Sequence, residues 1–166
     1  MRTSPPMPEA EGNLITREIE NAFLLELRLP SDPALLCVVR ATVNRLTALL
    51  NFSDMDCRSI TKAVDEALTN IVRHSYHGRA DQPVGIQFRR VLQGRDTGLE
   101  VILWDQGPAI DASKLGERDL DELRPGGLGL HFMRKAMDTV EFQRLAKVNQ
   151  LRMVKHLEGT GASAAR

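Results

Sequence analysis

The segment "ITKAVDEALTNIV", residues 60–72, constrains the fold more than any other part of the chain. Ile60, Ala63, Val64, Ala67, Leu68, Ile71 and Val72 recur at three- and four-residue spacing, so a helix here carries an apolar face that another layer must cover. Glu66 and Asn70 stand one turn apart beside that face. With Arg73 they follow the spacing i, i+4, i+7, which predicts a single stripe. A carboxylate in such a place can act as a general base or align a hydroxyl, and a neutral amide oxygen suits Mg²⁺ beside phosphates. Arg73 and His74 could meet a phosphate or a neighbouring loop. Taken alone, the same pattern also fits an ordinary solvated face.

The segments around this helix fix the order of elements. "FLLELRL", residues 23–29, reads as a strand. Asp32 followed by Pro33 opens a helix through Ala34–Leu50, with Leu35, Val38, Val39, Thr42, Leu46 and Leu49 expected on one face. Ser53 or Asp54 caps the next helix, and "HGRADQP" ends it. "VGIQFRRVL" and "LEVILWD" read as a hairpin around the turn "QGRDTG". A long polar connection follows, of the kind that is usually functional or disordered. "LGLHFMRKAMD" resumes a helix, and "TVEFQRLA" and "NQLRMVKHLE" form a closing hairpin with its turn at Lys147–Asn149. The order β-α-α-β-β-α-β-β predicts an α+β fold, a two-layer α/β sandwich with helices on one face of a mostly antiparallel sheet. Nothing in it suggests a βαβ crossover or a GxxxxGK phosphate loop. Residues 1–16 are expected to be a disordered tail, 17–158 the domain, and 159–166 a flexible tail.

Charge narrows the function classes. Lys+Arg and Asp+Glu both number 22, so there is no electrostatic reason to expect nucleic-acid binding. The two cysteines, Cys37 and Cys57, are outside any CxxC and read as free thiols of a reducing compartment. No apolar run approaches the ~20 residues of a membrane span, and a cytoplasmic location is expected.

Two further constellations carry chemistry. In "WDQGPAID", residues 104–111, Asp105 ends an apolar strand and can accept a hydrogen bond from an exocyclic amine, while Gly107 lets a flat ring approach the backbone. A plain strand exit would use the same residues. In "RPGGLGLHFM", residues 124–133, glycines enter a helix, where free N–H groups and the helix dipole favour an anion; a simple hinge would look alike.

Together, in this order, the three resemble the GHKL ATPase superfamily, whose HATPase_c domain has the Bergerat ATP-binding fold. The chain is most similar there to the anti-sigma factor serine/threonine kinases of the RsbW/SpoIIAB type. "EALTNIVRHSY" (66–76) is similar to that family's N-box, "DQGPAID" to its first glycine box and "GGLGLHFMRKAMDTVEF" to its second. The resemblance spans residues from about 20 to 158. It implies that Glu66 is the catalytic base that activates a protein hydroxyl and that Asn70 binds Mg²⁺. It implies that Asp105 bonds the adenine amine with Gly107 beside the ring, and that Ala109 and Ile110 continue that ATP-binding box. Gly127 and Gly129 would lie against the phosphates, in an ATP-binding run with Gly126, Leu128 and Leu130. Residues 112–124 would form the ATP lid, Arg124 would contact a phosphate, and Arg73 and His74 would complete the set. One departure is Ala109, where the first box often has glycine; its methyl narrows the pocket or changes the loop's flexibility.

The implied activity is transfer of the ATP γ-phosphoryl to a serine or threonine of a STAS-domain antagonist, with a sigma factor or other client sequestered in a partner-switching pathway. Homodimerisation is the family expectation. The alternative is a nucleotide-binding module that sequesters a partner without significant kinase activity; Glu66 favours the kinase, since a pure binder needs no base there.

Overall fold

In a computed structural model, which describes residues 23–93, 96–109 and 128–157, the strand-like segments pair into one five-stranded sheet of order β1-β2-β3-β5-β4. The strands are β1 (Phe23–Pro30), β2 (Pro83–Gln93), β3 (Asp96–Asp105), β4 (Thr139–Leu145) and β5 (Val148–His156). Every described pairing is antiparallel, and two of them, β2–β3 and β4–β5, are direct hairpins. The helices are α1 (Leu36–Leu49), preceded by a 3₁₀ turn at Pro33–Leu35, α2 (Asp54–Asn70) and α3 (Leu128–Ala136). α2 packs between α1 and α3. The apolar face of α2 meets Val84, Ile86 and Phe88 of β2, Leu99, Val101 and Leu103 of β3, and Leu151 and Met153 of β5 in one core. Full burial of a side chain such as Phe88 or Ile86 contributes about 1.5–3 kcal/mol. The α+β two-layer sandwich expected from the element order is the observed fold.

The helix starts follow local chemistry. Asp32 accepts a hydrogen bond from the Ala34 N–H at 2.9 Å, with Pro33 just inside the turn. Ser53, rather than Asp54, caps α2 by accepting from the Asp56 N–H at 3.1 Å. Past Asn70 the helix widens into a π-helical turn at Ile71–Ser75, closed by Tyr76 N–H donating to Ile71 O at 3.0 Å. His77 and Gly78, both at positive φ, then end it.

Three local expectations change. On α1 the buried stripe is Val39, Val43 and Thr47, while Val38 and Leu49 are 52% and 59% exposed. Apolar residues on α1 outnumber the positions of one face, so their spacing does not fix its phase. Thr47 can be buried because its hydroxyl donates to Val43 O at 2.9 Å. The central hairpin pairs as far as Gln93↔Asp96, so most of the expected turn is strand. Gly98 pairs with Val91 and His156 in that strand, and a Cβ there would lie 2.6 Å from Lys155 O on β5. The closing turn is Ala146–Lys147, between the paired Leu145 and Val148. Ala146 takes the positive φ, and Asn149 is buried in β5 instead of standing in the turn.

The expected tails at 1–16 and 159–166, and the lid at 112–124, lie outside the described residues. Among those described, no helix is long and apolar enough to cross a membrane.

The Gly98 contact is testable. Gly98→Val should lower stability by roughly 1–3 kcal/mol, since the obstacle is backbone and not a flexible side chain. Thermal unfolding should show a drop of several degrees; an unchanged midpoint would refute the close approach of β3 and β5 at this point.

Candidate functional site

Two polar clusters are joined by the C-terminal part of α2 and its π turn. At the first, Glu66 and Asn70 are half-buried on successive turns of α2, where α3 packs against it. A Cβ built on Gly129 would lie 3.0 Å from Glu66 Oε2 and 3.6 Å from Asn70 Nδ2. The missing side chain therefore lets the first turn of α3 approach the pair. The first N–H groups of a helix have no partner within it, and its dipole is positive there, so this corner can hold an anion. One turn earlier on α2, Lys62 Nζ lies 4.3 Å from the centre of the Phe132 ring, a second tie between the two helices.

At the second cluster, Asp105 ends β3 with only 4% of its surface exposed. Its Oδ1 accepts from the Gly107 N–H at 2.8 Å and from Asn149 Nδ2 at 2.8 Å. Gly107 packs on the π turn: a Cβ there would come within 2.6 Å of Ser75 Cβ. Tyr76 anchors the junction, its hydroxyl donating to Pro83 O at 2.6 Å and accepting from the Gln106 N–H at 2.7 Å. Burial raises the Tyr76 pKa above its ordinary value; the Gln106 N–H works against this and the charge of Asp105 adds to it.

The fold thus brings Glu66, Asn70 and Gly129 together at one end and Asp105 and Gly107 at the other. Arg73 and His74 are exposed, and among the described residues neither makes a hydrogen bond or ion pair. Both lie in the π turn, where the backbone has more residues per turn than the α-helix before it. Ala109 is exposed at the mouth of the first glycine box, and Leu130 packs against the core. Leu128 begins α3. Ile110, Arg124, Gly126 and Gly127 lie outside the described residues. Tyr76 and Asn149 are additions. The tyrosine falls within the N-box segment but was not assigned to the site, and Asn149 gave no sequence signal beyond turn chemistry.

A helical layer on this antiparallel sheet, with an acid–amide pair against a glycine at a helix start and a buried aspartate before a second glycine, defines a GHKL-type ATP-binding domain. Residues 29–155 match the family described as histidine kinase-like ATPase domain. The serine-protein kinase RsbW of Bacillus velezensis is 33% identical over 143 residues, covering 81% of this chain and 86% of that protein. RsbW of Bacillus subtilis is 32% identical, covering 84% and 89%. The crystal structure of the SiaB–SiaC complex from Pseudomonas aeruginosa matches with a TM-score of 0.61 at 16% identity, over 85% of this chain and 95% of that one. The RsbU and RsbW domains of a Mycobacterium tuberculosis protein match at 0.52 and 17% identity, over 80% and 32%. These two structures share the fold. The chain belongs to the histidine kinase-like ATPase family and, within it, to the serine-protein kinases of the RsbW type. Its enzyme class is protein serine/threonine kinase.

Tyr76 offers a direct check of the junction, because it is the only tyrosine in the chain. A raised folded pKa means stability is intact below the unfolded value of about 10 and is lost as pH climbs through the folded one. Tyrosinate absorbance should titrate above about pH 10 in the native protein and near 10 in denaturant. Tyr76→Phe should remove that component of the alkaline stability loss. Equal midpoints in the two states would contradict the buried, bonded hydroxyl.

Proposed function

We propose that the chain binds Mg-ATP across the two clusters and transfers the γ-phosphoryl to a serine or threonine of a STAS-domain antagonist. In this reading it also sequesters a sigma factor or other client, in the partner-switching manner of its family, as a cytoplasmic homodimer. The observation that carries the reading is the approach of Gly129 to Glu66 and Asn70. It supports a reading in which Glu66 serves as the base and Asn70 as the metal ligand beside an anion-favouring helix start.

Each residue then has a role. Asp105 accepts from the adenine amine, and Gly107 leaves room for the ring. The first turn of α3 receives the phosphates. Glu66 Oε2 takes the proton of the incoming hydroxyl as its oxygen attacks the γ-phosphorus and the bond to the ADP oxygen breaks. The residues present fit Mg²⁺ as the metal. Mg²⁺ characteristically takes few protein oxygens alongside phosphates and water, and a neutral amide such as Asn70 can supply one. Asn70 would hold it, and when bound it neutralises developing phosphate charge. Holding the two ends of the nucleotide on one rigid helix and one strand end supplies the positioning that phosphoryl transfer depends on.

Glu66→Gln separates kinase from sequestering module. It should leave ATP affinity nearly unchanged and lower transfer of label from γ-labelled ATP to STAS-domain proteins of the same cell by ~10²–10⁴-fold. Transfer at the wild-type rate would remove Glu66 from the base role. A wild type that binds ATP yet labels none of those proteins would favour the sequestering module.

A further inference from the structure

Arg144 of β4 stands directly opposite Asn149 of β5 in the strand register. Its Nη1 donates to Asn149 Oδ1 at 2.5 Å and to Gly107 O at 2.8 Å. Arginine has donors and no acceptor, so it holds the Asn149 amide with its oxygen toward β4. The amide nitrogen is thereby turned the other way, where it donates to Asp105 Oδ1 at 2.8 Å and to Pro108 O at 2.9 Å. The positive charge at one end and the carboxylate at the other polarise the amide between them in the same sense. Asp105 Oδ1 then carries two fixed bonds, from Asn149 and from the Gly107 N–H, and Gly107 itself is pinned through its carbonyl. Two bonds on one oxygen set the plane of the carboxylate and leave Oδ2 as the acceptor for a ligand.

We propose that Arg144 is a positioning residue for base recognition. Acting through Asn149 and the Gly107 carbonyl, it fixes Asp105 as an acceptor aimed at a purine amine, which favours adenine over guanine. The equivalent edge of guanine presents a carbonyl oxygen, an acceptor facing an acceptor. The inference rests on the reading that the base of the nucleotide meets Asp105.

Calorimetry of the full chain with Mg-ATP, Mg-ADP and Mg-GTP tests it. Arg144→Met keeps the length of the stem and removes the donors. ATP and ADP should each lose roughly 10-fold in affinity, the scale of one charge-assisted hydrogen bond, while GTP, weaker from the outset, should not change. The ATP-over-GTP preference should shrink by the same factor. A merely structural arginine would weaken all three nucleotides alike, and an uninvolved one would weaken none; either result overturns the role of Arg144 and leaves the ATP site standing. A wild type that binds none of the three overturns the nucleotide reading and this inference with it.

Discussion

The first turn of α3 lies against Glu66 and Asn70, and the absence of a side chain at Gly129 leaves that approach uncrowded. A methyl there would meet the Glu66 carboxylate at 3.0 Å, so that side chain would have to give by a few tenths of an ångström. The rest of the helical layer is arranged to make this approach possible. α2 buries Ile60, Ala63, Val64, Ala67 and Leu68 in the core, which leaves Glu66 and Asn70 at the border of that face. α3 is pinned from below by Met133, Ala136 and Met137 and from the side by Lys62 over Phe132. A tightly packed core holds such borders to fractions of an ångström, which is the tolerance phosphoryl transfer imposes on its groups.

The other end of the site depends on strand register. Asp105 and Asn149 face each other across β3 and β5 and point to the helical side of the sheet. A slip of one residue would turn both to the opposite face. Charges on that opposite face resist such a slip. Glu100, 7% exposed, accepts from Arg152 Nε at 2.5 Å, and Arg152 reaches on to Glu141 at 3.0 Å, so β3, β5 and β4 are linked in one network. Arg89 of β2 lies 4.0 Å from Glu100 on the other side.

Much of this was legible in the sequence because it is local. The period of α2, the strand alternations and the direct hairpins gave the two-layer fold, and Glu66, Asn70, Asp105, Gly107 and Gly129 sit in short segments whose spacing already suggests their chemistry. What escaped depends on distant residues. Asn149 is 44 positions from Asp105 and meets it only through the β3–β5 pairing; in the sequence it looks like a turn residue. Arg144 meets Asn149 across the closing hairpin, but its bond to Gly107 O spans 37 positions. The π turn at Ile71–Ser75, which holds Arg73 and His74, is a change that helical periodicity does not signal. α1 was phased by its apolar residues, yet its buried stripe runs through Thr47, whose hydroxyl is satisfied by its own helix.

A crystal structure of the chain with Mg²⁺ and a non-hydrolysable ATP analogue tests most directly whether these two clusters are the ends of one nucleotide site. The adenine amine should lie within hydrogen-bond distance of the Asp105 carboxylate, with the phosphates at the first turn of α3 and the terminal one beside Glu66 and Asn70. A nucleotide bound elsewhere, or bound here with its base turned away from Asp105, would contradict that assignment.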